Sequence, residues 1–184
     1  MTTYYNINPQ FYVSVDCIIF GFDKGSLKLL LLKRNFEPAK GSWSLMGGFV
    51  QDGESVDDAA KRVLAELTGL ENVYMEQVGT FGEVDRDPGE RVISVAYYAL
   101  ININEYDRNL VQQHNAHWAE INEIPPLVFD HPQMVKQARI MLQKKASSEP
   151  IGFNLLPSLF TLFQLQSLYE AIYGEPLDLS LIHI

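Results

Sequence analysis

The sequence predicts an α+β fold: strands gathered into a sheet, helices over it, and a shorter helical unit behind. Three observations predict it. Strand-like runs recur at 11–20, 27–32, 73–81 and 91–101. A helical period fills 55–68, between the second and third of them. Two more helical stretches, opening near 131 and at 161, follow the last strand. With 184 residues, 47% hydrophobic and 20% charged, the chain can build one good core and a small appendage.

The elements follow in order. In FYVSVDCIIF, Phe11, Val13, Val15, Cys17 and Ile19 alternate with Tyr12, Ser14 and Asp16, giving a strand with one strongly apolar face. Phe22 to Ser26 is a turn. Leu27 to Leu32 is almost continuously apolar, as in a strand buried on both faces, and pairs back as a hairpin. Lys33 and Arg34 close it, and 35–41 is a loop. Gly47 and Gly48 allow close backbone approach to a ligand or a positive φ; a plain tight turn before the next helix is the alternative.

Gly48 to Leu70 carries the chemical character. Ser55 is placed to cap a helix, with Asp58 three residues on. Val56, Ala60, Val63, Leu64 and Leu67 recur at helical spacing, and Gly69 ends the run. Taken alone, this is an amphipathic core helix. Yet Gly48, Glu54, Arg62, Leu64, Glu66, Gly69 and Leu70 also stand at the spacing of the Nudix box, which the stretch resembles at seven of nine fixed positions. Both departures are carboxylates: Val63 and Leu67 stand where that family has glutamates. Positions 63, 66 and 67 share one helix face, so three carboxylates there would gather Mg²⁺ and orient a water. This chain offers Glu66 alone. Loss of a general base by itself costs about 10²–10⁴-fold. The resemblance implies a Nudix α/β/α sandwich with a mixed sheet. The segment WSLMGGFV supports it, with Met46 where the family usually has proline.

Beyond the helix, 82–90 is a polar loop between two strands. Asp85, Arg86, Asp87 and Arg91 gather charge at a strand's end, where arginine forks suit phosphate and carboxylates suit hydroxyls; a solvated, self-paired loop is the alternative. Asp130 or His131 caps the next helix, with Pro132 in its first turn and Val135, Ala138, Met141 and Leu142 as its stripe. His114, His117 and His131 lack metal-ligand spacing and read as structural or surface residues. Lys144 to Pro150 reads as a linker. Thr161 with Gln164 forms a capping box, Leu165, Leu168, Tyr169 and Ile172 give an apolar face, and Gly174 stops the helix.

From Pro150 the chain resembles the start of the winged-helix domain in NrtR-like, Nudix-related transcriptional regulators. Within them it looks most like the arabinose-responsive repressors of sugar utilisation; ADP-ribose is the other effector type. The resemblance implies an effector-sensing domain over 1–147 and a partial winged helix-turn-helix over 148–184. It implies a small sugar or ADP-ribose effector held by Arg34, Trp43, Gly47, Gly48, Asp85, Arg86 and Asp87, in a homodimer. Of the box, Gly48, Glu54, Arg62 and Glu66 remain as a non-catalytic residue set. No metal is expected; were the chain instead a hydrolase of a nucleoside diphosphate derivative, Glu66 would hold Mg²⁺. A ligand-free scaffold is a third reading.

The regulators continue into a basic recognition helix, whereas here the chain ends Leu179 to Ile184, with no Lys or Arg after Lys145. The last six residues are therefore expected to be foreign to the family, from a truncated reading frame. Net charge −9 and pI near 4.8 argue globally against a nucleic-acid binder, unless a local basic patch overrides them. Operator DNA is a partner of the longer regulators, and tight DNA binding is not expected of these 184 residues. Cys17 is the single cysteine, so no disulfide framework forms. No signal peptide or membrane span is visible, and a cytoplasmic protein is expected.

Overall fold

The computed structural model describes residues 4–104 and 108–177. Its strands are β1 (Tyr12–Asp23), β2 (Ser26–Lys33), β3 (Trp43–Ser44), β4 (Met46–Phe49), β5 (Met75–Phe81), β6 (Val92–Ile101) and β7 (Ala116–Glu120). Its α-helices are α1 (Val56–Thr68), α2 (Arg108–Gln113), α3 (His131–Ala146) and α4 (Leu162–Tyr173).

The sheet is mixed and is organised on β1. One edge of β1 runs parallel to β6, from Tyr12 opposite Val92 to Gly21 opposite Ile101. The other edge is shared by two antiparallel partners, β4 along Ser14–Cys17 and β2 along Phe20–Asp23. β5 extends the sheet beyond β6, while β3 and β7 both pair with β2. Side chains alternate across this sheet. Val15, Cys17 and Ile19 pack beneath α1 with Ala60, Val63, Leu64 and Leu67. Ile18, Phe20 and Phe22 pack on the other side with Met134, Ala138 and Leu142 of α3 and Leu165, Leu168 and Ile172 of α4. The result is the expected three-layer α+β sandwich. The hairpin and the double burial of Leu29, Leu30 and Leu31 follow the sequence pattern.

The helix ends obey local chemistry. Ser55 Oγ accepts from the Asp58 N–H at 3.1 Å, and Gly69 ends α1 at a left-handed φ of 72°. Thr161 and Gln164 exchange both bonds of the capping box before α4, and Gly174 ends it at φ 77°.

α3 covers the face of β1 that carries Asp16, and the carboxylate is buried. Three expectations change. Gly47 and Gly48 form no turn; they are in β4 without positive φ. Lys144 and Lys145 are not linker but the last turn of α3, where Lys145 Nζ lies 2.5 Å from both the Tyr74 hydroxyl and Glu76 Oε2. Asp130 precedes α3 but makes no side-chain cap, because its carboxylate is drawn to Arg86. β3, β4, β7 and α2 were not foreseen; they run to six residues at most, too short for a periodic signal.

Residues 148–177 share the core of the sandwich. Leu155 and Leu156 join α4 in it, and Gln143 Nε2 of α3 donates to the Ile172 carbonyl at 3.0 Å. The expectation for Leu179 to Ile184 lies outside the described residues. Among the described residues no helix is long and apolar enough to cross a membrane.

Candidate functional site

Two charged clusters lie on opposite faces of the sheet. The first belongs to α1. Arg62 donates from Nε to Glu54 Oε2 at 3.0 Å and from Nη2 to Glu54 Oε1 at 2.7 Å. It also reaches the Phe49 carbonyl at 3.0 Å and Glu66 at 3.4 Å. The Gln51 N–H adds a bond to Glu54 at 2.7 Å. The Arg62 fork, and then that N–H, hold the Glu54 carboxyl below its usual range, while Glu54 raises the guanidinium further. Arg62 thus ties the loop before α1 to the helix.

Val63 and Leu67 point inward. They are 3% and 8% exposed and pack on the sheet. A Cβ on Gly48 would come within 2.9 Å of Val63 Cγ2, which explains glycine there. The donor set does not fit the three-carboxylate cage of the box. A divalent cation would find Glu54 and Glu66, both already engaged by one guanidinium. Among the described residues no group of three or more His, Cys, Asp or Glu side chains is placed to hold a metal ion.

The second cluster surrounds Asp16. Ser94 Oγ donates to Asp16 Oδ2 at 2.5 Å, and Arg86 Nη2 lies 3.7 Å from the same oxygen. Arg86 makes a bidentate pair with Asp130, Nε to Oδ2 at 2.9 Å and Nη2 to Oδ1 at 2.8 Å. The Leu45 N–H donates to His131 Nδ1 at 3.0 Å, which assigns the ring proton to Nε2, 3.6 Å from Asp16 Oδ1. Burial pulls the His131 pKa down, against Asp16 and Asp130, so the ring is held neutral. Gly47 borders this cluster. A Cβ there would meet Asp16 Oδ1 at 2.5 Å and the Val15 carbonyl at 2.9 Å.

Arg34 stands beside it. Its Cζ lies 5.3 Å from the Phe129 ring centre, and that ring meets His131 edge-on at 5.6 Å. Burial lowers the Arg34 pKa, opposed by Asp87, Asp16 and Glu37. So Arg34, Gly47 and Arg86 come together around Asp16, Asp87 acts electrostatically on Arg34 while its carboxylate accepts from the Gly89 N–H, and Gly48 faces α1. Asp85 is on the exposed loop. Trp43 packs edge-on to His117 at 5.5 Å and bridges Leu127, outside the Asp16 network. Sequence reasoning missed Asp16, Ser94, Asp130 and His131 as members. One signal was available: a carboxylate in the middle of an otherwise apolar strand. A cavity of about 590 Å³ lies elsewhere, between residues 70–74, the end of β6 and residues 149–153.

Comparison with known proteins adds the following. The NUDIX domain model matches residues 10–141, and the NrtR DNA-binding winged helix domain model matches 152–180. The ADPR responsive transcriptional repressor NtrR of Acinetobacter baylyi is 36% identical over 174 residues, 92% of this chain and 70% of the relative. The ADP-ribose pyrophosphatase of Methanocaldococcus jannaschii is 36% identical over 124 residues, 67% of this chain and 70% of the relative. The crystal structure of Shewanella oneidensis NrtR superposes with a TM-score of 0.84 at 32% identity, covering 92% of this chain and 81% of that one. The same protein has been crystallised with a 27mer DNA (TM-score 0.84, 32% identity, 91% and 78% covered). Its NUDIX domain has been crystallised with ADP ribose (TM-score 0.61, 30% identity, 77% and 94% covered).

Proposed function

The chain belongs to the NUDIX family, in its NrtR-type regulator branch, and on that premise we propose that it senses ADP-ribose and does not hydrolyse it. The observation that carries this reading is the burial of Val63 and Leu67 while Arg62 occupies both remaining glutamates. A helix face so built packs and braces; it supplies little to activate a water. Beside Asp16, the terminal nitrogens of Arg34 have no partner among the described residues, and Gly47 leaves exposed backbone at the edge of the cluster.

ADP-ribose is preferred over the pentose that the sequence resemblance suggested. The A. baylyi and M. jannaschii relatives carry ADP-ribose in their names, and the S. oneidensis NUDIX domain was crystallised with it. A second copy of the chain completes the proposal, with operator DNA as the partner of the longer regulators, not held tightly by these 184 residues, and a cytoplasmic location. The DNA-facing charge would come from outside residues 147–184, which hold no Lys or Arg.

The test is calorimetric titration of the purified chain in EDTA with ADP-ribose and, separately, L-arabinose. Saturable heat with ADP-ribose alone supports the reading. Saturable heat with arabinose alone replaces the effector, and heat with neither removes the sensor.

A further inference from the structure

We propose that the terminal nitrogens of Arg34 form a preorganised fork for the diphosphate of the effector. This rests on the ADP-ribose reading and adds which part of the ligand is gripped, and by what.

The geometry is specific to Arg34. Its N–H donates to the Ser42 carbonyl at 2.9 Å, and its carbonyl accepts from the Gly41 N–H at 2.8 Å, so the backbone is fixed on both sides. Its Nε donates to the Pro38 carbonyl at 2.8 Å. Two rings lie against the guanidinium, Phe36 with its centre 4.3 Å from Cζ and Phe129 at 5.3 Å. Phe129 holds its ring there from a left-handed φ of 54°, which a bulky residue normally avoids. Nη1 and Nη2 are left over, with no hydrogen-bond or ion-pair partner among the described residues.

The arginines of the two clusters differ. Arg86 spends Nε and Nη2 on Asp130, and Arg62, across the sheet, spends all three nitrogens on Glu54, Glu66 and the Phe49 carbonyl. An arginine stacked on aromatic rings and tied at Nε has surrendered its rotamer freedom before a ligand arrives. Its two outward donors match the paired oxygens of a phosphate.

The experiment compares the full chain with Arg34→Gln, Arg34→Lys and the exposed Lys40→Gln. Each is titrated with ADP-ribose, ribose 5-phosphate and adenosine by ligand-observed NMR and calorimetry. Arg34→Gln is expected to weaken both phosphate ligands about 10–100-fold while adenosine stays within about twofold. Arg34→Lys should fall between, since it keeps the charge but loses the planar fork. Lys40→Gln should change nothing beyond about twofold, which separates a fork from general charge. ADP-ribose affinity within about twofold of wild type in Arg34→Gln overturns the proposal, as does an equal loss for adenosine in a folded variant. If wild type ignores ADP-ribose yet binds ribose 5-phosphate through Arg34, the fork stands and the effector assignment falls. If it binds neither, both fall.

Discussion

Replacing Arg86 by methionine isolates the interaction that anchors α3 beside the Asp16 cluster. The guanidinium is 3% exposed and pairs through two bonds, 2.9 and 2.8 Å long, with an Asp130 carboxylate that is itself 11% exposed. Methionine keeps most of the volume and removes the charge. Asp130 then stands in a largely dehydrated site without its partner, and Asp16 loses a cation 3.7 Å away. Breaking a buried pair from one side costs about 3–5 kcal/mol. Asp16 keeps the Ser94 hydroxyl at 2.5 Å, so the lower end, about 3 kcal/mol, is expected. For a chain of this size that lowers Tm by roughly 6–12 °C. Urea unfolding followed by circular dichroism and by tryptophan fluorescence measures the change and tests two-state behaviour. The double variant Arg86→Met with Asp130→Leu removes the stranded carboxylate and should recover at least half of the loss. A single variant within about 1 kcal/mol of wild type, or a double variant with no recovery, would refute the claim that this pair holds α3.

Other consequences can be checked on the same material. His131 is held neutral by burial, so the unfolded chain binds a proton that the folded chain refuses once pH falls below the ordinary imidazole value of 6.5. The stability this gives is present in full above that value and is lost as pH falls toward the depressed folded value. The slope should reach at most about 1.4 kcal/mol per pH unit, and His131→Gln should flatten it; an unchanged slope contradicts the assignment. Val63→Glu restores a box carboxylate at a position 3% exposed and should destabilise by several kcal/mol, on the order of 3 or more, rather than confer turnover. A folded, metal-activated Val63→Glu protein would show that this face can open. With net charge −9 and no cation after Lys145, the 184 residues should give no sequence-selective gel shift at nanomolar protein, and such a shift would show that charge elsewhere suffices.

The fold was legible where burial has a period. β1, β2, α1, β6 and α4 each show their strand or helix pattern, and Ser55, Gly69, Thr161 and Gly174 mark helix ends by chemistry that acts within four residues. The site was legible only in part. Arg34, Gly47, Arg86 and Asp87 were identifiable as a charged or flexible set, but their meeting point was not. Asp16 becomes the centre only when β6 brings Ser94 beside it and the start of α3 brings Asp130 and His131 over it. Ser94 is 78 residues from Asp16, and no local spacing encodes that contact. Trp43 lies outside the Asp16 network. The resemblance implied an effector contact for it, and its ring packs edge-on against His117 of β7, a strand too short to read from its residues.

The claim that this chain recognises without cutting is tested most directly by incubating the wild-type chain with ADP-ribose and Mg²⁺ or Mn²⁺ and resolving the products by chromatography. The account predicts intact ADP-ribose at concentrations where calorimetry shows the site filled. Multiple turnovers to AMP and ribose 5-phosphate, abolished by Glu66→Gln, would contradict it.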